Sequence, residues 1–408
     1  MRRPSTWLLI VIILVGAFIL REPRLQAIDD SLRGWFMTHA ESTLPPTPVT
    51  QVEIGREDIE HLTTPEQSKP LPPGQAARRS LSPLEYALFL QAVLEFRPNV
   101  VAIESLLIWR DRDKVQEQVF IDQAMRVPKL LVAVELGAKG ERELSIEDLP
   151  DLPNVFGPRG GLPEFTGVRR QPDEDIRLIS TPGLINSPDE KGNAFRVPMI
   201  FDCRGQIVPA FALEAIMLWL RLTPAEVNVE LGRQITLPNG WKIPIHRDGT
   251  TTINPTARQS VRRLSLNELL LAAQEHEKNQ PSARNLENLK DQIILLRIAD
   301  DPLQPPNPFS AAIATIQGNF YIRSAPPALE WIIIFAAALL ASFLWRISKA
   351  NLFSFAIIFS AGYALVALGL LGQQRVWIPM FLPMALLWFL VVLRVFSSEA
   401  KHEIAATG

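Results

Sequence analysis

NVVAIESLLI (residues 99–108) and KLLVAVEL (129–136), separated by DRDKVQEQVFIDQAMR (111–126), decide the fold of this chain. Both apolar runs are short and nearly continuous, the pattern of a strand buried on both faces. The segment between them carries apolar residues at helical spacing and is read as a helix with Val115, Val119, Ala124 and Met125 turned inward. Strand, helix and strand in that order predict right-handed βαβ units and a mostly parallel sheet flanked by helices, an α/β fold.

The same grammar extends outward. Upstream, VTQVEIG (49–55) reads as a strand, and LSPLEYALFLQAVLEF (81–96) as a helix with Ser82 at its N-cap and Pro83 at its first position. The polar, proline-bearing insert TTPEQSKPLPPGQAARRS (63–80) is a surface loop by composition. Downstream, residues 184–222 predict a turn, a hairpin about Asp202 to Gly205, and a helix from Pro209. Residues 226–255 supply an antiparallel section of short alternating strands, with Pro-Asn-Gly and Arg-Asp-Gly at their turns. RRLSLNELLLAAQEH (262–276) is a helix opened by a capping box, Ser265 with Glu268 three residues on. LKDQIILLRIADDP (289–302) returns to the buried-strand pattern, and residues 308–331 give a last helix and a proline-marked junction.

Two hydrophobic regions flank this α/β sequence. WIIIFAAALLASFLW (331–345), LFSFAIIFSAGYALVALGLLG (352–372) and VWIPMFLPMALLWFLVVL (376–393) approach the ~20 residues that cross a hydrocarbon core of about 30 Å, and predict three membrane helices. Trp331, Trp345, Trp377 and Trp388 lie near span ends, where indole rings favour the headgroup zone. At the other end WLLIVIILVGAFIL (7–20) follows MRRPST and reads as an uncleaved signal anchor, which brings the expected transmembrane helices to four. Arg346 and Lys349 share one short loop, Arg394 and Lys401 follow the last span, and Arg375 alone sits in the other loop. That asymmetry places both termini in the cytoplasm and the intervening domain outside. The expected organisation is a cytoplasmic tail and anchor over 1–24, an extracytoplasmic domain over 25–327, three spans over 328–396 and a cytoplasmic tail over 397–408. IDDSLRGWFMTHA (28–40) would be an amphipathic helix leaving the membrane to dock on the domain.

The 408 residues carry a net charge of −2, which argues against a dedicated nucleic-acid surface. The single cysteine, Cys203, excludes an internal disulfide and paired-cysteine metal or redox motifs. The five histidines lack paired metal-ligand spacing, and no phosphate-binding glycine loop or nucleophile elbow occurs. No catalytic residue, metal site or cofactor is assigned. Glu53, Glu104, Glu135 and Asp300 all fall at or near the carboxyl ends of predicted parallel strands, the edge where open α/β sheets place their ligand crevice. They either converge on a cation or polar ligand, or cap the following turns and pair with Arg110, Arg196 or Arg297.

The ordered set VTQVEIG, a proline-led helix, VVAIES, KLLVAVEL, LPEF, GLINSPDEKGNAFRVPMI, ALEAIMLWLRL, INP (253–255), LSLNELL, QIILLRIAD, APPALEW and three closing spans resembles the CHASE2 family of extracytoplasmic sensory domains in bacterial membrane receptors. Glu53 and Glu104 stand where that family more often carries Asp, and Arg297 and Ala299 where small residues are usual. The resemblance implies a sensing module in a bacterial cytoplasmic membrane, contacting the lipid bilayer and a small extracellular ligand. In such receptors the last span leads into a cytoplasmic output domain; here SSEAKHEIAATG follows, so a separate membrane or cytoplasmic protein partner is expected to supply the output. The rival expectations are a structural or assembly subunit of an envelope complex, and an envelope enzyme using the strand-end carboxylates.

Overall fold

The computed structural model describes residues 6–39, 44–55, 81–109, 113–137, 149–187, 196–278, 286, 289–299, 308–344 and 348–406. The proline-bearing insert at 63–80, Arg110, Asp300 and Arg346 lie outside them. Two compact units emerge: Leu44–Phe320 forms one, and Met1–Thr43 with Tyr321–Gly408 forms the other.

In chain order the helices among the described residues are α1 (Thr6–Arg21), α2 (Pro23–His39), α3 (Pro83–Leu94), α4 (Lys114–Ala124), α5 (Glu174–Leu178), α6 (Phe211–Leu220), α7 (Leu266–Glu277), α8 (Phe309–Gln317), α9 (Pro327–Leu344), α10 (Lys349–Gln374) and α11 (Phe381–Ala406). The strands of the main sheet are β1 (Val49–Ile54), β2 (Val100–Ile103), β3 (Leu130–Gly137), β4 (Gly167–Arg170), β5 (Thr181–Leu184), β6 (Arg262–Ser265) and β7 (Ile293–Ile298).

The sheet runs β6-β1-β7-β2-β3 with every neighbour parallel. β3 also pairs in parallel with β5 through Leu131–Val134 and, past an irregularity at Glu135/Leu136, antiparallel with β4. The crossovers β1-α3-β2, β2-α4-β3 and β6-α7-β7 all step the same way across the sheet. Right-handed connections therefore put their three helices on one face. On that face Val52, Ile54, Val101, Ile103, Val132, Ile294 and Leu296 pack with Phe89 and Leu90 of α3, Phe120 of α4 and Leu269 of α7 in one buried cluster. The opposite face carries α6 against β2, β3 and β5, and α8 against β1. α6 comes close because Gly183 has no side chain: a Cβ there would lie 2.5 Å from the Phe211 ring.

Local signals account for the element ends. Ser82 N donates to Glu85 Oε2 at 2.6 Å and Ser265 Oγ accepts from Glu268 N at 3.2 Å, the two expected caps. The hairpin Ile200–Cys203/Gln206–Pro209 turns on Arg204 (φ 51°) and Gly205 (φ 80°), the two left-handed residues a two-residue turn needs. The antiparallel section is present as Asn228–Glu230, Gln234–Thr236 and Lys242–Pro244, with Asn154–Phe156 added in parallel.

One expected helix face is wrong. In α4, Val115 and Met125 are 74% and 59% exposed and Val119 is 38% exposed, whereas Phe120 and Ala124 are buried. Phe120 carries the contact by stacking edge-on against Tyr86 and Trp109, and one ring on that side replaces a stripe of aliphatic residues.

The other unit is helical. α2 clusters with it rather than with the α/β unit. Ile12 of α1, Ile334, Ala338 and Ala341 of α9, and Leu382, Leu386 and Leu390 of α11 form its core. Gly16 lets α1 approach α9, since a Cβ there would lie 2.9 Å from Ile334 Cγ1. By length and composition one described stretch, Ala350–Gln374, is long and apolar enough to cross a membrane, against the four expected. Shorter apolar stretches are described at Ile10–Arg21, Ala328–Ala341 and Phe381–Arg394.

Candidate functional site

Register brings Glu53 and Glu104 to one place. Glu53 of β1 lies directly across from Arg297 of β7 and from Ser265 of β6. Ile103 of β2 pairs with Leu296, so Glu104, the next residue, falls level with Arg297. One row thus crosses three adjacent strands at the carboxyl edge in the order Glu53, Arg297, Glu104. Successive backbones in the row lie a strand spacing, ~4.8 Å, apart. The row lies where β7 enters between β1 and β2.

Glu104 is fully buried, and Arg297 Nη1 donates to its Oε2 at 3.2 Å while remaining 24% exposed along its side chain. Glu53 is half-buried. Arg258 stands at the surface within electrostatic reach of both carboxylates and of Arg263 and Arg297. Partial desolvation and then those two guanidiniums lower its pKa, and the carboxylates oppose the shift. Beneath Glu53 on the same face, Gln51 is 1% exposed and its Nε2 has no hydrogen-bond partner among the described residues.

Glu135 is not part of this row. The Nε of Arg170 on β4 donates to its Oε2, and Arg169 Nη1 lies 3.8 Å from its Oε1. Of the arginines expected as partners, Arg297 meets Glu104, whereas Arg196 lies 3.5 Å from Asp248 and Glu135 takes Arg170 and Arg169 instead; the row brings together only Glu53 and Glu104 of the four carboxylates. Asp300 lies outside the described residues.

A concave feature lies elsewhere among the described residues of the α/β unit, and its residues carry no sequence signature. A cavity of about 510 Å³ is walled by Val132 and Val134 of β3, Val168 of β4 and Pro182 of β5, with Gln171, just after β4, and Glu174 and Arg177 of α5 as its polar side. It opens where β3 exchanges β5 for β4. At that exchange Asn186 acts as an extra peptide group: its Oδ1 accepts from Leu136 N at 2.7 Å and its Nδ2 donates to Leu136 O at 2.8 Å. An apolar wall with a few convergent polar groups at this volume has the make-up of a small-molecule site.

Cys203 is buried in an apolar cluster with Val134, Phe201 and Val208. Comparisons with known protein families, characterised proteins and solved structures find no match to this chain.

Proposed function

We propose that this chain is a membrane-anchored extracytoplasmic binding module of the CHASE2 type. In this reading the helical unit is its membrane part, with α1, α9, α10 and α11 as four spans. The observation that carries it is the exterior of those helices. Leu14, Phe18, Ile332, Phe335, Leu339, Ile358 and Leu365 are 52–71% exposed while their neighbours form an apolar core. Helices apolar inside and out suit a lipid solvent, and in water such a surface far exceeds what a monomer exposes.

The α/β unit then binds a small ligand in the cavity beside β3 and passes its occupancy to a separate protein partner in the membrane or cytoplasm. Binding rather than catalysis is the proposed role. The cavity is tested by screening small polar molecules for thermal stabilisation of the detergent-solubilised chain. Gln171→Trp, which fills the cavity from a half-buried position, should abolish the response to genuine hits. Hits that stabilise the variant equally would refute the assignment.

A second reading, an assembly subunit, is favoured by Val115 and Val119, which present one apolar face of α4 to solvent. It predicts a constitutive complex that Val119→Asp dissolves without unfolding the chain.

A further inference from the structure

At one end of the helical unit a cavity of about 300 Å³ opens between the last turn of α1, the middle of α2 and the first turns of α9 and α11. Its walls are apolar on the helix side, at Leu20, Phe381 and Leu382, and polar toward α2, at Asp29 and Arg33. Asp29 is already committed. Its Oδ1 accepts from Met380 N at 2.9 Å and Phe381 N at 3.0 Å, and its Oδ2 accepts from the Trp377 indole at 2.9 Å. The carboxylate of one helix thereby satisfies the free N–H groups at the start of another.

Glu330 is different. It lines the same cavity from the first turn of α9, is half-buried, and has no hydrogen-bond or ion-pair partner among the described residues. Asp29 lies within electrostatic reach and repels it. An ionisable side chain without a partner in an apolar helical bundle marks a binding position. The missing partner has to be cationic and a hydrogen-bond donor. Arg33, one helical turn from Asp29, places a guanidinium on the same cavity, suited to a phosphate.

We propose that this cavity binds a phosphoethanolamine group, the headgroup of an aminophospholipid, with its primary ammonium on Glu330, its phosphate on Arg33 and its acyl chains along the apolar outer surface of the helices. This rests on the membrane reading above: three helix ends meeting at the cavity place it at the level of the headgroups. A volume near 300 Å³ is at the small end of ligand sites, suited to a headgroup and not to a whole lipid.

The test uses the full chain, delipidated in detergent and melted in the presence of phosphatidylethanolamine, phosphatidylcholine, phosphatidylglycerol or soluble O-phosphoethanolamine. Phosphatidylethanolamine should raise the melting temperature by about 4 °C, the scale of a well-occupied site. Phosphatidylcholine, whose quaternary ammonium cannot donate, and phosphatidylglycerol, which has no cation, should give at most a quarter of that. Glu330→Gln and Arg33→Ala should each abolish the difference between the lipids while melting normally in phosphatidylcholine, and Leu365→Ala, on α10, should retain it. Equal shifts from all three lipids, or a full ethanolamine response in both site variants, would overturn the proposal. An equal shift with soluble O-phosphoethanolamine would overturn its lipid source. Failure of the membrane reading is seen separately, as a chain released from membranes by alkaline carbonate without detergent.

Discussion

Arg297 Nη1 donates to Glu104 Oε2 at 3.2 Å, across two adjacent parallel strands, and the carboxylate it meets has no solvent exposure at all. The pair joins β7, from late in the chain, to β2, from early in it. Arg297→Met leaves a buried carboxylate without its cation and should destabilise the α/β unit by about 3–5 kcal/mol, since the desolvation cost remains and the attraction is lost. The double variant Arg297→Met/Glu104→Leu should recover at least half of that, as read by denaturant melts of the α/β signal. A double variant as unstable as the single one would mean that the pair is not what matters there.

Glu214, in the first turn of α6, is 5% exposed, and its Oε2 has no hydrogen-bond partner among the described residues. Burial pushes its carboxyl up to about 7 from an ordinary 4.5. The folded state therefore keeps this proton over a pH range where the unfolded chain has lost it. Stability from this group is complete below about pH 4.5 and falls as pH rises toward 7. The total loss is about 3 kcal/mol. Glu214→Gln should flatten that part of the pH–stability curve. An unchanged slope in the variant would show that some other group titrates.

Gly183 and Asn186 are paired requirements for the sheet edge. Gly183→Ala would press a methyl into the Phe211 ring, and the expected cost is about 1–3 kcal/mol. Gly160→Ala, where a Cβ meets nothing within 4 Å, should be close to neutral. Asn186→Ala removes both bonds to Leu136 and should cost a similar 1–3 kcal/mol, roughly that of leaving buried backbone groups unpaired. Thermal melts of the four proteins side by side decide it, and a neutral Gly183→Ala would contradict the packing described.

The same contrast applies to the helical unit. Gly16→Ala drives a methyl toward Ile334, whereas Gly362→Ala points into open space. Detergent-solubilised Gly16→Ala should melt several degrees lower and Gly362→Ala should not, because close helix contact depends on small residues at the crossing. Indistinguishable melts would remove α1 from the packed unit.

These residues also show what the sequence can and cannot reveal. β2, β3 and β7 were legible because each is a nearly continuous apolar run, β1 because Val49, Val52 and Ile54 end at a glycine turn, and the caps at Ser82 and Ser265 because the bonding partner is three residues away. The insertion of β7 between β1 and β2 was not legible, since nothing local to residues 293–298 names a neighbour some two hundred positions earlier. For that reason Glu53 and Glu104 could be placed at strand ends but not in one row with Arg297. The inward face of α4 was misread because Phe120 alone supplies contacts that periodicity assigned to Val115 and Val119. The cavity beside β3 arises from one strand serving three partners, and Asp29 looked like one of two acids on an amphipathic helix until its partners at Trp377 and Phe381 were in view.

The membrane-anchored, extracytoplasmic placement of the α/β unit is the central claim, and a single cysteine-labelling experiment addresses it most directly. Native Cys203 has no solvent exposure and should be silent to a polar maleimide. Ala225, exposed in the α/β unit, offers a mild site for Ala225→Cys. In intact cells whose outer barrier has been made permeable, a membrane-impermeant maleimide should label Ala225→Cys fully and leave the unsubstituted chain unlabelled. Labelling of Ala225→Cys only after the cytoplasmic membrane is broken would contradict the account.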